Sequence, residues 1–217
     1  TKLATNAPDQ VTVDNWGNAT LPLLNGATID TAGFDVQATY ARPIENYGTL
    51  TFTAGANIVS KYNYQDPVIG GPYDYDGQFT GNGVAGGAVG VVPDFRVVSG
   101  LTWDYKGFTI NFNVQYTPEV QDMGTLHPSS GDTQNFYTID HGVWTVDAFY
   151  SVNMLAAYTF SSKGGNAWWD GSRLAVGCNN LADRDPSIVV SSSNNNTDGS
   201  AYDTIGRFIY FEVGKRF

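Results

Sequence analysis

The sequence predicts an all-β protein whose strands run up and down in antiparallel order. Of its 217 residues, 14% are aromatic and 25 are Gly, whereas only two are Met, a composition that disfavours helices. Large apolar residues alternate with small polar ones over long stretches, as strands require. No stretch reaches the ~18 to 20 continuous apolar residues of a membrane helix, but a membrane strand needs only about 9–11 alternating residues. The predicted fold class is therefore an antiparallel transmembrane up-and-down β-barrel.

Seven strands are expected, and the clearest covers residues 107–117. There Phe108, Ile110, Phe112, Val114 and Tyr116 alternate with Thr109, Asn111, Asn113, Gln115 and Thr117. The other six are predicted over residues 33–41, 49–58, 95–104, 144–160, 173–181 and 207–217. A weak eighth lies near residues 11–13. The stretch 144–160 exceeds the five or six residues typical of soluble strands, which suits a tall, tilted barrel wall.

The connections between these strands differ in length. Residues 42–48 and 105–107 form short turns and 161–172 a moderate one, whereas 61–94, 118–143 and 182–204 form long loops. Outer-membrane barrels have short periplasmic turns and longer extracellular loops. We therefore expect the three long loops to be extracellular and the turn at 161–172 to be periplasmic.

The two faces of the strands point to a membrane. The second face carries Thr, Asn, Gln, Ser and Asp with scarcely a Lys, as in a wet lumen, whereas the outer face of a soluble sandwich is rich in Lys and Glu. Lumen positions are expected for Asp35, Gln37, Asn111, Asn113, Asp147 and Asn153. Interfacial girdles are expected from aromatic residues near strand ends, namely Tyr40, Tyr47, Trp103, Tyr105, Tyr158, Phe160, Trp168 and Trp169.

Charge and motifs exclude several functions. The net charge of −10 gives no electrostatic footprint for nucleic acid, and a single Cys allows no intramolecular disulfide. No Gly-x-Ser-x-Gly motif occurs, so no enzyme is expected. His127 and His141 share a long loop with carboxylates, but their spacing favours a solvated loop over a metal site. No metal or other cofactor is expected.

The C-terminal part carries a specific resemblance. The matching residues are Asn180, Leu181, Asp183 and Pro186, then Tyr202, Asp203, Gly206, Arg207 and the terminal Phe217. They resemble the closing strands of TonB-dependent outer-membrane receptors, which run through an Asn-Leu-Phe-Asp motif and return through Tyr-Asp and Gly-Arg to a final aromatic. Ala182 replaces the usual Phe, and Lys215 stands where an apolar residue is common.

The resemblance implies a transport protein of the bacterial outer membrane. Residues 1–217 would then form the C-terminal part of a 22-stranded barrel, whose plug and earlier strands lie outside this chain. The implied partners are the remaining strands and plug of the same receptor, the TonB energy-coupling complex, outer-membrane lipid and an imported solute such as a ferric siderophore, vitamin or glycan. The last strand, ending at Phe217, would serve as the assembly signal. An open seven-stranded sheet would leave two unpaired edges in lipid, so further strands are required.

The first candidate for ligand contact is an aromatic and acidic stretch in one long loop, formed by Tyr73, Asp74, Tyr75, Asp76 and Phe79. Such residues can supply rigid contact area and hydrogen bonds, or the aromatics can pack on neighbouring loops. The second candidate is the stretch from His127 to His141. A pairing of Arg207 with Asp203 is also expected. Two other readings stay open: a stand-alone eight-stranded barrel with a structural or adhesion role, and a secreted carbohydrate-binding β-sandwich.

Overall fold

The computed structural model describes residues 12–13, 19–20, 28–66, 70–79, 90–122, 144–161, 168–190, 192 and 195–215. The protein is all-β. In this part of the chain no helix has the length and apolar character needed to cross a membrane. The strands are β1 (Thr12–Val13), β2 (Ala19–Thr20), β3 (Thr28–Ile44), β4 (Gly48–Asp66), β5 (Gly70–Asp74), β6 (Gln78–Phe79), β7 (Val91–Val92), β8 (Phe95–Tyr105), β9 (Phe108–Thr117), β10 (Val120–Asp122), β11 (Trp144–Val146), β12 (Phe149–Thr159), β13 (Ser172–Asn179) and β14 (Phe208–Lys215).

The main feature is an antiparallel sheet of seven long strands, here called the wall, in the order β3-β4-β8-β9-β12-β13-β14. Each long strand pairs with the next long strand along the chain, so the seven predicted strands and their up-and-down order are confirmed. The sheet is open, with β3 at one edge and β14 at the other. Because neighbours are antiparallel, the short turns lie at one end of the wall and the three long connections at the opposite end.

Two strand predictions need correction. The weak eighth strand, Thr12–Val13, pairs with Ala19–Thr20 and does not join the wall. The long predicted strand over residues 144–160 is interrupted at residues 147–148. There the carbonyl of Asp147 accepts a hydrogen bond from Ser187 Oγ (2.8 Å), and that of Ala148 accepts one from Arg184 Nη2 (3.0 Å). Side chains of the last long connection thus bond to this backbone where the strand is broken.

One face of the wall is apolar from edge to edge. Residues paired across neighbouring strands share a face, and one such row contains Tyr40, Phe52, Leu101, Phe112, Met154, Cys178 and Ile209. Large side chains on this face are exposed, including Phe34 (67%), Tyr40 (63%) and Phe211 (80%). Contiguous exposed apolar area of this size is typical of a surface that contacts another protein or a membrane.

The other face of the wall is polar, and neighbouring strands are joined across it by side-chain hydrogen bonds. Asn57 Nδ2 donates to Asp35 Oδ1 (2.7 Å), and Asn111 Nδ2 donates to Thr102 Oγ1 (2.8 Å). Near the short-turn end, Arg173 Nη1 bonds to Glu212 Oε1 (2.6 Å). These contacts satisfy polar groups laterally within the sheet, so the face does not need an apolar partner layer.

Tight turns join the wall strands at the short-turn end. Lys106 and Gly107 both have positive φ (45° and 88°), the geometry of a two-residue turn whose twist matches its strands. A Cβ atom on Gly107 would lie 2.6 Å from the carbonyl oxygen of Thr159. Gly therefore suits this position both in conformation and in space.

Aromatic side chains gather at the short-turn end, as the sequence predicts. The rings of Trp103 and Tyr105 stack with centroids 5.8 Å apart, and Trp103 Nε1 donates to the carbonyl of Tyr47 (2.7 Å). The rings of Tyr158 and Phe160 meet edge to face at 4.8 Å. This group is called the turn-end belt below.

Candidate functional site

A small packed unit, called the cap, lies at the long-loop end of the wall. It comprises a four-stranded sheet in the order β11-β10-β6-β7 and the connection between β13 and β14. Its core holds Phe79, Val91, Val120, Val146, Val189 and Tyr202, and it packs against Phe149 of the wall. All three long connections contribute to this core. The described residues of these three connections therefore pack together, whereas the solvated loop predicted around His127 and His141 lies outside the described residues.

A pocket of about 420 Å³ opens in the cap beside this core. Its acidic lining comes from Asp76, Asp94 and Glu119, and Gln78, Gln121 and Thr145 add neutral polar groups. None of the described residues that line it is Lys, Arg or His. The pocket thus offers hydrogen-bond acceptors and negative charge, which suit hydroxyl, amide or cationic groups of a ligand and repel anionic ones.

The carboxyl groups of Asp74 and Asp76 influence each other's protonation, and Asp76 lines the pocket. A hydrogen bond between the two side chains lowers the pKa of Asp74 and raises the pKa of Asp76. Proximity of the two carboxylates and of Asp94 further raises the pKa of Asp76. This is the behaviour of like charges that avoid simultaneous ionisation. The pair therefore binds its last proton more tightly than an isolated Asp would.

The structure separates the members of the predicted aromatic and acidic stretch. Asp76 lines the pocket, and Tyr75 stacks on the buried ring of Tyr64, with centroids 5.8 Å apart. Asp74 ends β5, and Tyr73 lies opposite Tyr64 in the β4–β5 pairing. Phe79 is 0% exposed in the cap core. It therefore does not form an exposed ligand-binding surface, because its ring is needed for packing. His127 and His141 lie outside the described residues.

The pocket residues that sequence reasoning missed are Asp94, Glu119, Gln121 and Thr145. They come from three separate stretches of the chain, and the pairings of β6 with β7, of β6 with β10 and of β10 with β11 bring those stretches together. The strands involved have two or three residues, too few for a visible alternation. No local signal in the sequence could therefore have assembled this pocket.

The residues that carry the family resemblance form a knot of hydrogen bonds between wall and cap. Asn180 is fully buried with a φ of 49°, and its side chain bonds both the N–H and the carbonyl of Arg184 (2.9 and 2.8 Å). Its own N–H donates to Asn153 Oδ1 on the polar face (2.9 Å). The guanidinium of Arg184 lies 4.3 Å from the Tyr150 ring centroid. The motif thus has a structural role in this chain, which is to join the wall to the cap.

The expected pairing of Arg207 with Asp203 is wrong. Arg207 bonds instead to Asp183, whose Oδ1 accepts the Arg207 N–H at 2.9 Å and whose carboxylate lies 3.9 Å from Nη2. Asp203 Oδ1 accepts the N–H of Ile205 (3.0 Å) and so stabilises its own turn. The motif residues on both sides of the last long connection therefore meet, which pins the base of that connection. Phe217 lies outside the described residues.

The buried Asp198 joins the connection between β13 and β14 to the connection between β4 and β8. Asp198 is 5% exposed; its Oδ2 accepts the N–H of Val91 (3.1 Å), and its Oδ1 accepts bonds from the N–H and hydroxyl of Ser200 (2.9 and 2.6 Å). Burial raises the pKa of nearby Tyr202 to about 12, and the Asp198 charge adds to the rise. The Tyr202 hydroxyl has no hydrogen-bond partner in the part of the chain that the structure describes.

No protein-family model matches the sequence, and no curated protein shows significant similarity to it. Among the described residues, no group of three or more His, Cys, Asp or Glu side chains is placed so that it could hold a metal ion. The pocket, the knot and the two faces of the wall are therefore the observations from which a function is argued.

Proposed function

We propose that this chain is the C-terminal part of the β-barrel of a TonB-dependent outer-membrane receptor, which imports a scarce solute bound at the cap. The observation that carries the proposal is the uncovered apolar face that extends across all seven strands of the wall. In water, apolar area of this extent would drive association. In a bilayer it faces lipid, and the polar face turns to the lumen.

The height of the apolar face supports this placement. The turn-end belt includes Phe108, whose ring lies 4.4 Å from that of Tyr158. At the other end of β9, the ring of Tyr116 lies 6.1 Å from that of Phe95. From Phe108 to Tyr116 the strand has nine residues and covers about 27 Å at roughly 3.4 Å per residue, which is about 19–22 Å of height at the 35–45° tilt of barrel strands. Lipid-facing bands of outer-membrane barrels are about 25 Å tall and lie between aromatic girdles.

The unpaired edges of the wall are an argument for a larger barrel. Strands β3 and β14 each lack a wall neighbour on one side among the described residues. Unpaired backbone groups cost several kcal/mol each in hydrocarbon, so both edges need strand partners. The remaining strands of the same receptor would supply them, with the plug against the polar face. Among the described residues, the short β1–β2 pair does not supply an eighth wall strand, and no second sheet covers the apolar face as it would in a sandwich.

The resemblance at Asn180 to Arg207 supports the receptor type. Its residues form the wall-to-cap knot, and a folded cap is a suitable frame for a solute site that must hold its shape. The acidic lining of the pocket favours a solute that presents hydroxyl, amide or cationic groups there. Plug opening would be driven by the TonB complex, as the resemblance implies.

Protease treatment of intact cells that display the protein tests the orientation. Cleavage is expected in the cap, for example at the exposed Asn195 and Asn196, and not at the turn of residues 161–172. Cleavage at that turn in intact cells, with the cap untouched, would reverse the proposed topology. Recovery of the folded protein from the soluble fraction without detergent would end the membrane proposal.

Solute binding is tested at the pocket by point substitution, because deletion of residues 73–79 would remove Phe79 from the cap core. Asp94→Asn with Glu119→Gln removes two of the three pocket charges and should lower uptake of the solute at least tenfold. Glu45→Gln in a short turn is the matched control, since it removes an exposed carboxylate at the opposite end of the wall. Equal uptake by the pocket variant and the control would remove the pocket from the proposal.

A further inference from the structure

A shallow groove of about 480 Å³ crosses the apolar face near the short-turn end. Ala156 forms its floor, and Ile110 and Val176 stand directly beside it on the two neighbouring strands. Phe108, Leu174 and Phe211 complete its apolar walls. The groove exists because a single methyl group lies between larger side chains in the same cross-strand row. Its apolar lining suits a hydrocarbon chain.

Two ammonium groups lie at the short-turn end of this face. Lys215 is in register with Phe211 and Val213, because alternate residues of a strand share a face, and its Nζ bonds to the carbonyl oxygen of Trp168. In the β8–β9 hairpin, Lys106 Nζ lies 4.9 Å from the centroid of the Tyr105 ring. A hydrogen bond with the Tyr105 side chain raises the pKa of Lys106, and a Lys is charged at neutral pH even without such a shift.

We propose that the groove binds an acyl chain of an anionic phospholipid, whose headgroup lies between Lys106 and Lys215 on the two sides of the groove. This site rests on the proposed placement of the wall in a membrane. A phospholipid fits because it joins an apolar chain to an anionic group at one end, the same order as groove and lysines along the strands. Long Lys side chains at a membrane interface extend towards the headgroups, which brings their charge to the phosphate level.

Quenching of Trp fluorescence by brominated lipids tests the site in the membrane-extracted protein that contains this chain. The protein is reconstituted into phosphatidylcholine vesicles, and brominated phosphatidylglycerol is compared with brominated phosphatidylcholine. Phosphatidylglycerol should be preferred, because each Lys near an anionic headgroup favours binding about fivefold. Lys106→Gln with Lys215→Gln should remove the preference, and Ala156→Leu should weaken quenching by both lipids.

Two variants serve as matched controls. Lys61→Gln removes a Lys at the opposite end of the wall, and Ala54→Leu enlarges an Ala on the same apolar face outside the groove. Neither should change lipid preference. Equal quenching by the two lipids in the unaltered protein, or a preference kept by the double Lys variant, would overturn the lipid site. Failure of the protein to float with the vesicles would overturn both proposals, whereas flotation without preference would overturn this one alone.

Discussion

The wall and the cap place their apolar side chains in opposite ways. In the wall, large apolar residues such as Phe211 (80% exposed) face outward, and the polar face is bonded within the sheet. In the cap, Phe79 and Val146 are 0% exposed and polar groups lie around them. Burial in the cap follows the rule for proteins in water, and the wall inverts that rule. In the proposed barrel, one chain thus carries a region suited to lipid and a region suited to water.

The largest effect should come from the cap core. Phe79→Ala leaves a cavity at a fully buried site and should lower the free energy of unfolding of the cap by about 3–5 kcal/mol. Urea unfolding followed by Trp144 fluorescence reports on the cap. Phe211→Ala is the matched control, because its exposed ring leaves no internal cavity. Equal losses of cap stability in the two variants would contradict the contrast between the two regions.

A charge placed on either face of β9 tests the inversion of the wall. Phe112→Arg puts a charge on the apolar face, which should cost about 2–4 kcal/mol near the midplane of a bilayer, and Asn113→Arg on the polar face should cost much less. Folding into lipid vesicles over a denaturant series gives both values. Similar costs would mean that the two faces share one environment.

The knot at Asn180 should have an intermediate effect, because it joins the two regions. Asn180→Ala loses two side-chain hydrogen bonds and places a Cβ residue without a polar side chain at a positive φ. We expect a loss of about 1–3 kcal/mol from the hydrogen bonds alone, visible as a lower melting temperature of the cap. Asn180→Gly loses the same bonds but tolerates the backbone, so it should be the milder variant. If Asn180→Gly were less stable than Asn180→Ala, backbone strain at the positive φ would not explain the loss of stability.

The smallest effect is expected from Tyr202→Phe. The variant keeps the ring packed on Phe149 (centroids 5.6 Å apart) and removes a buried hydroxyl that has no described partner, so stability at neutral pH should change by less than about 1 kcal/mol. Because the pKa of Tyr202 is raised from 10.0 to about 12, its contribution to stability is fully present below pH 10.0 and is lost as pH rises through about 12. Alkaline unfolding followed by Trp144 fluorescence should therefore shift to higher pH in the variant. An unchanged alkaline midpoint would show that Tyr202 ionisation plays no part.

The sequence predicted the wall well because its pattern is periodic. Alternation over ten or more residues, as in β9, marks both the strand and its two faces. The pattern failed at residues 147–148, where apolar residues continue to alternate through a real interruption. That break depends on Arg184 and Ser187, which lie some forty residues away in sequence, so no local period could reveal it.

The cap was beyond prediction for a different reason. Its strands are too short to show a period, and its core takes residues from three distant stretches. For Phe79 the sequence left ligand contact and packing on neighbouring loops both open, and the structure shows the packing. The motif at Asn180 was visible in the sequence, but only the structure shows why an Asn is needed: it satisfies two backbone groups while holding a positive φ.

In the proposed barrel, a β-bulge between β3 and β4 determines how far the protein reaches beyond the lipid. The pairing shifts after Ala32, and Ser60 is the extra residue, whose hydroxyl donates to the Ala32 carbonyl (3.1 Å). Beyond this point the outward side of β4 changes from apolar side chains to Lys61, which pairs with Asp30. In the proposed barrel the bulge therefore lies at the membrane–water interface. Residues 60–66 extend about 20 Å beyond it at roughly 3.3 Å per residue. An arriving molecule would meet this hydrophilic hairpin before it reached the membrane surface.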